Sequence, residues 1–119
     1  MFGFEKLDVW KKAVEFCDAV YRLTKKFPDD ERFGLTSQVR RAAVSIASNL
    51  AEGSGRGSPK DFAHFVQVGY GSLMEVVSQV HLARRQGFLT QDDFDHLYAD
   101  AERLARMLSG LRASLQRNR

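Results

Sequence analysis

The sequence is poor in cysteine and proline and has no long apolar run. Cys17 is the single cysteine among 119 residues, so an internal disulfide is excluded. No stretch of about 18 apolar residues occurs, and the first residues lack the cationic stretch and apolar run of an export signal. We therefore expect a cytoplasmic protein without a membrane segment.

The composition predicts one folded domain over residues 1–119. Apolar residues make up 44% of the chain and charged residues 28%, values that allow a chain of this length to bury its own core. The net charge is +3, so the placement of the charges is more informative than their sum. Between Asp92 and Glu102 there are five acids, and between Arg103 and Arg119 five arginines, a gradient that suits one helix and its dipole.

Helical periodicity recurs in four stretches with recognisable start and stop signals. The first runs from Leu7 towards the connection that contains Pro28. The second has an N-cap at Thr36 or Ser37 and ends just before Gly53. The third and fourth begin at caps on Ser58, followed by Pro59, and on Thr90.

The fourth stretch carries the clearest pattern, because its apolar residues alternate three- and four-residue steps. They are Phe94, Leu97, Ala101, Leu104, Leu108, Leu111 and Leu115. Short connections between four such helices predict an all-α fold, an antiparallel up-down-up-down four-helix bundle.

Surplus apolar residues predict that copies of the chain assemble. The second helix is apolar around most of its circumference, so we expect it to be the most enclosed helix. Phe16, Val68 and Tyr70 add apolar side chains beyond the core stripes of the first and third helices. A homo-oligomer would cover these surfaces.

The segment Asn49–Phe62 contains three glycines, yet it matches no nucleotide-binding loop. Neither the Walker pattern nor the dinucleotide fingerprint fits, and no strand precedes the glycines. We interpret the segment as a corner between two helices with a basic flank. The flank comprises Arg40, Arg41, Arg56 and Lys60 and is the candidate nucleic-acid-binding patch, assisted by free N–H groups at the start of the third helix.

Arg41 requires a structural explanation as well. If the second and third helices are antiparallel about a turn centred near Arg56, Arg41 lies beside Ser72 and close to Glu75. We predict an ion pair between Arg41 and Glu75 near the core, which would fix the register of the two helices.

The residues of catalytic and metal sites do not assemble into any pattern that we recognise. His64 and His96 each follow an acid by three residues, but these pairs lie at opposite ends of the predicted bundle, and His81 has no partner at ligand spacing. The serines lie in helices or caps, without an accompanying histidine and acid. We therefore expect a non-enzyme without a metal or a cofactor.

Three stretches resemble one family: LDVWKKAVEF, KFPDDERFGLTSQVRRAAVSIASNLAEGSGRGSPKDFAHF and GYGSLMEV. They are similar to the four-helix-bundle proteins encoded within intervening sequences of bacterial 23S ribosomal RNA genes. Relatives of that family include the accessory proteins of diversity-generating retroelements. The matching positions are Arg40, Arg41, Glu52, Gly53, Arg56, Ser72 and Glu75.

The resemblance implies a ring of protomers, typically a pentamer, with a basic surface for RNA or DNA. The retroelement relatives bind a reverse transcriptase, so the resemblance also implies that a reverse transcriptase is a possible partner of this chain. The leading hypothesis is thus a non-enzymatic homo-oligomer that binds nucleic acid through a repeated basic patch. The alternative is a protein-binding adaptor with no nucleic-acid role, and nucleic-acid contact depends mainly on the resemblance.

Overall fold

The computed structural model describes residues 1–118, which form four α-helices. These are α1 (Asp8–Thr24), α2 (Leu35–Ser54), α3 (Pro59–Arg85) and α4 (Gln91–Arg117). Short 3-10 helices cover Gly3–Lys6 and Asp29–Glu31, and no strand occurs within residues 1–118. The molecule measures 45 × 23 × 22 Å, since α3 and α4 have 27 residues each and a helix rises about 1.5 Å per residue.

All four helices contribute to one hydrophobic core. The largest side chains that are almost completely buried are Val20, Val39, Ile46, Leu50, Val66, Leu73, Val76, Leu104 and Leu108. Burying each such side chain stabilises the fold by about 1.5–3 kcal/mol before entropy is counted. The α4 pattern is confirmed from Phe94 to Leu108, whereas Leu111 and Leu115 are only partly buried.

The predicted surplus of apolar surface is smaller than the sequence suggested. Phe16 is 3% exposed and belongs to the core, and Tyr70 packs against the core from its edge. Only Val68, at 42% exposure, remains largely in solvent. Helix α2 is also less enclosed than expected, because Arg41 and Val44 are exposed to solvent.

The predicted caps of α3 and α4 are confirmed. The Ser58 hydroxyl accepts a hydrogen bond from the Asp61 N–H at 3.1 Å, and the Thr90 hydroxyl accepts one from the Asp93 N–H at 3.1 Å. Pro59 occupies the first turn of α3, where its missing N–H costs nothing.

Both predicted ends of α2 are wrong. The helix starts at Leu35, before Thr36, and a carboxylate oxygen of Glu31 accepts the Leu35 N–H at 3.0 Å in place of a cap side chain. At the other end, Gly53 is a buried residue inside the helix. A β-carbon at Gly53 would lie 2.7 Å from Cβ of Phe65, so the glycine permits close approach of α2 and α3.

Contacts between α2 and α3 pair residues late in α2 with residues early in α3. Gly53 meets Phe65, and the Ser45 and Ser72 hydroxyl oxygens lie 2.9 Å apart. The sequence placed Arg41 beside Ser72, but Ser45 occupies that position, one helical turn further along α2. Both contacts centre the pairing of α2 with α3 near residues 58–59 and not near Arg56.

Membrane-spanning potential is absent from the described helices: none within residues 1–118 combines the length and the apolar character needed to cross a bilayer.

Candidate nucleic-acid interface

Arg40 is a structural residue that joins α2 to α1. Its Nε donates a hydrogen bond to Oγ1 of Thr24 at 2.8 Å, and its guanidinium lies 4.7 Å from the centre of the Tyr21 ring. The Thr24 hydroxyl in turn donates to the backbone oxygen of Val20 at 2.8 Å. These contacts hold Arg40 half-buried against α1 and assign it a structural role.

Arg41 is exposed, and the predicted ion pair with Glu75 near the core is not formed. Both residues line the same groove between α2 and α3, but no direct ion pair joins them among residues 1–118. Two exposed charges have no desolvation cost that would force them to pair. The register of α2 and α3 therefore depends on Gly53 and on the Ser45 to Ser72 hydrogen bond.

Arg56 lies in the connection between α2 and α3, and Lys60 follows it on the first turn of α3. The Arg56 guanidinium is 4.8 Å from the centre of the Phe65 ring and 3.2 Å from a carboxylate oxygen of Glu52. An exposed ion pair of this kind contributes at most about 1 kcal/mol, so Arg56 can exchange Glu52 for another anion. Lys60 is exposed on the first turn of α3.

A shallow groove beside Lys60 has no acidic side chain. Its volume is about 230 Å³, and it is lined by Lys60, Ala63, His64, Gln67 and Gln116. The lining combines one fixed cation with one histidine and two amides, which are hydrogen-bonding groups suited to a phosphate.

The four predicted cations do not form one patch. Arg41 lies 13 residues before Ser54, the last residue of α2, which corresponds to about 20 Å along the helix axis. The expectation that Arg40 and Arg41 surround the glycine segment is therefore wrong, and only Arg56 and Lys60 lie there. The four cations were grouped because they are close in the chain, without allowance for the length of α2.

The start of α3 offers few free backbone donors. Pro59 has no N–H, the Asp61 N–H bonds to the Ser58 hydroxyl, and the Phe62 N–H bonds to the Ser58 carbonyl at 3.1 Å. At most the Lys60 N–H remains, beside the Asp61 carboxylate. An anion at this end would thus be bound by side chains rather than by a backbone cradle.

The groove that Arg41 lines is polar and contains an aromatic residue that the sequence analysis missed. It holds about 470 Å³, and seven of its nine lining residues have polar side chains. Phe33 stands at the groove with 88% exposure, and the Arg32 guanidinium lies 5.3 Å from the centre of its ring. The sequence did contain a signal for this exposed aromatic residue: Phe33 lies in an acidic connection and does not belong to the apolar stripe of any helix.

The seam between α1 and α4 is a third groove, with apolar residues such as Ala19 and Leu97 beneath charged rims. Lys26 of the α1 end meets Asp93 of the α4 start at 3.0 Å. The hydrogen bond from Lys26 holds the pKa of Asp93 below its ordinary value.

The described residues meet the requirements of neither a metal site nor a reactive thiol. Within residues 1–118 no group of three or more histidine, cysteine or acidic residues is arranged to hold a metal ion. Cys17 is half-buried, and burial, followed by the nearby Asp18 charge, raises the pKa of its thiol. A raised thiol pKa disfavours the reactive thiolate.

The four helices around a common core define the class as an all-α protein. The chain belongs to the 23S rRNA-intervening sequence protein family, whose sequence profile matches residues 5–110. A solved structure of similar fold is a protein of unknown function of the S23 ribosomal protein family from Bacteroides thetaiotaomicron. It aligns with a TM-score of 0.80 and 21% identity over 87% of this chain and 96% of the other. No curated protein sequence matches this chain significantly.

Proposed function

We propose that the chain is a non-enzymatic, homo-oligomeric scaffold that binds RNA or DNA at the end of the bundle carrying Arg56 and Lys60. The observation that carries the proposal is the occurrence of two exposed cations, Arg56 and Lys60, within four residues of each other at one end of the bundle. The acid-free groove of Lys60, His64 and Gln116 adds hydrogen-bonding groups beside Lys60. Repetition of this pair around an oligomer would add the fields of several copies, and a phosphate backbone would meet all of them.

The protomer proposed here is the antiparallel up-down-up-down bundle. The short connections Gly55–Ser58 and Gln86–Thr90 favour antiparallel neighbours. The contact of Gly53 with Phe65 agrees with a reversal of direction between α2 and α3. The contact of Lys26 with Asp93 joins the end of α1 to the start of α4, which agrees with the same topology.

The proposed oligomer is a ring, with five protomers as the number that the family resemblance implies. Support comes from apolar side chains that the single chain leaves in solvent, among them Val44, Val68, Met74 and Leu82, each 41–51% exposed. Light scattering at several micromolar concentrations tests this proposal. A monomer at every concentration would contradict it.

The nucleic-acid proposal is tested with the double variant Arg56→Gln, Lys60→Gln. The binding of a short duplex and of a single strand is followed by fluorescence anisotropy at two salt concentrations, and both should weaken. The dependence on salt should become shallower by about 0.9 in log–log slope per lost phosphate contact for the duplex and by about 0.7 for the single strand.

Lys25→Gln, Arg85→Gln is the matched control, since it removes the same charge from exposed residues elsewhere on the bundle. Equal weakening by both double variants would reduce the effect to net charge and contradict a local interface.

The second candidate is a protein-binding adaptor, and the seam between α1 and α4 favours it. Apolar residues lie beneath charged rims there, a combination that suits a protein segment, and the resemblance implies a reverse transcriptase as one kind of partner. Absence of nucleic-acid binding at low salt by an intact oligomer would favour the adaptor over the proposed function.

A further inference from the structure

The polar groove between α2 and α3 lies away from Arg56 and Lys60 and has the features of a separate ligand site. Its volume of about 470 Å³ falls within the range of roughly 300–1,000 Å³ that is usual for small-molecule sites. Its polar lining includes Ser37, Gln38, Arg41, Glu75 and Gln79. Charged and amide side chains of this kind bind a polar ligand rather than an apolar helix.

Phe33 supplies an aromatic platform at this groove. At 88% exposure it gains almost nothing from burial, although phenylalanine is among the residue types most often buried. The guanidinium of Arg32, 5.3 Å from the ring centre, extends the platform on one side of the ring. Aromatic rings and arginine planes are the groups on which unpaired nucleobases stack.

A buried acceptor borders the same groove. Oε1 of Gln79 is shielded from solvent and has no hydrogen-bond partner within residues 1–118, a state that costs roughly 1–3 kcal/mol. Because Gln79 lines the groove, rotation of its side chain would turn this oxygen towards the groove, where a ligand that donates a hydrogen bond would remove the cost. Adenine, cytosine and guanine carry an exocyclic amino group that can donate. Thymine and uracil have only the ring N3–H, which lies between two carbonyl groups and is less accessible to a single acceptor at the groove wall.

We propose that this groove binds one unpaired nucleotide of a single-stranded nucleic acid. The base stacks on Phe33, and the phosphate meets Arg41. The amino group of the base donates to Oε1 of Gln79 once the Gln79 side chain has rotated towards the groove. Glu75, the one acid among the lining residues, disfavours a second phosphate, so the site takes a single nucleotide rather than a continuous strand. The inference rests on the proposed nucleic-acid function but uses a different surface.

The test compares Phe33→Ala with the unsubstituted protein. Single-stranded oligonucleotides of deoxyadenosine, deoxycytidine or thymidine, and a duplex, are titrated by fluorescence anisotropy. The substitution should weaken binding of the deoxyadenosine and deoxycytidine strands roughly 5- to 100-fold, the range expected for one stacked base, and leave the duplex unchanged. Phe33→Trp should retain the preference.

Phe2→Ala is the matched control, because Phe2 is also an exposed phenylalanine, at 74%, but does not line the groove. It should leave all affinities unchanged. Equal loss of single-strand and duplex binding in Phe33→Ala, or thymidine strands that bind as tightly as deoxyadenosine strands, would overturn the proposal. Dissociation of an oligomer by Phe33→Ala would also overturn it and would assign Phe33 to a contact between copies.

The groove can also be tested without the Arg56 and Lys60 surface. Adenosine monophosphate should shift the side-chain amide resonances of Gln38 and Gln79 in the unsubstituted protein, and less so in Phe33→Ala. These shifts could occur while the double variant Arg56→Gln, Lys60→Gln has no effect on oligonucleotide binding. That result would contradict the proposed interface at Arg56 and Lys60 and would support nucleotide binding in the groove. If no shift occurs at millimolar nucleotide, the groove fails whatever happens at the other surface.

Discussion

A single glycine determines how closely α2 approaches α3. The added β-carbon of Gly53→Ala would lie 2.7 Å from Cβ of Phe65 and 2.9 Å from the Phe62 ring, and Cβ of Phe65 cannot move by a rotamer change. We expect Gly53→Ala to destabilise the fold by about 1–3 kcal/mol, because the steric cost exceeds the gain in helix propensity. Urea unfolding measures the difference.

Gly71→Ala is the control for that substitution. Gly71 is an exposed residue inside α3, and a β-carbon there would have no neighbour within 4 Å. The variant should therefore be more stable than the unsubstituted protein by about 0.5–1 kcal/mol. Destabilisation by both substitutions to a similar extent would contradict the steric explanation.

Adjacent arginines have different roles at the residue scale. Arg40→Lys removes the Nε hydrogen bond to Thr24 and the planar contact with Tyr21, and should cost about 0.5–1.5 kcal/mol of stability. Arg41→Lys, on the exposed side of α2, should be neutral within about 0.5 kcal/mol. Thermal unfolding of the two variants measures these costs. Equal losses of stability would contradict the different roles of Arg40 and Arg41.

At the element scale, local sequence signals located α3 and α4 but failed for α2. The caps at Ser58 and Thr90 are local hydrogen bonds that the neighbouring residues determine. The start of α2 depends instead on Glu31, which reaches forward from a preceding 3-10 helix, and its end depends on packing of Gly53 against another helix. The Glu31 hydrogen bond is local, but it comes from an acid four residues before Leu35 and not from the usual cap position. The packing of Gly53 is a tertiary contact, which leaves no periodic pattern in the sequence.

The cap of α3 gives a prediction at the same scale. Ser58→Ala leaves the Asp61 N–H without its acceptor and should destabilise the protein by about 1 kcal/mol, whereas Ser58→Asp should restore most of the loss. Denaturant titration of both variants provides the measurement. A Ser58→Asp variant no more stable than Ser58→Ala would show that the hydrogen bond does not matter.

At the scale of the whole molecule, the sequence predicted a four-helix core but not which surface residues meet. Arg40 and Arg41 were grouped with Arg56 by chain proximity, although α2 separates them by about 20 Å. Phe33 was missed because its neighbours in space belong to α2 and α3, which only the folded chain brings together. Surface sites depend on helix register, and an error of one turn changes every pair.

The ion pair between Lys26 and Asp93 joins residues that are 67 positions apart in the chain, and it predicts a dependence of stability on pH. Lys26 lowers the pKa of Asp93, so the stabilisation exists above the ordinary aspartate pKa, about 3.9, and is lost as the pH falls through the lower folded value. Lys26→Met should be less stable than the unsubstituted protein at pH 7, with a difference that shrinks below about pH 4. A difference that stays constant down to pH 2 would contradict this origin.

The three glycines of the connecting segment are unequal in a way that a mutational library would reveal. Gly57 faces open space, and a β-carbon at Gly55 would meet only ordinary contacts at 3.5 Å, so both positions should accept most amino acids. Gly53 packs against Cβ of Phe65 and the ring of Phe62, so every substitution there should cost stability. Residues 55 and 57 would therefore vary freely during evolution, whereas residue 53 would remain glycine. A constant Gly53 would keep α2 and α3 at the same separation in every surviving variant.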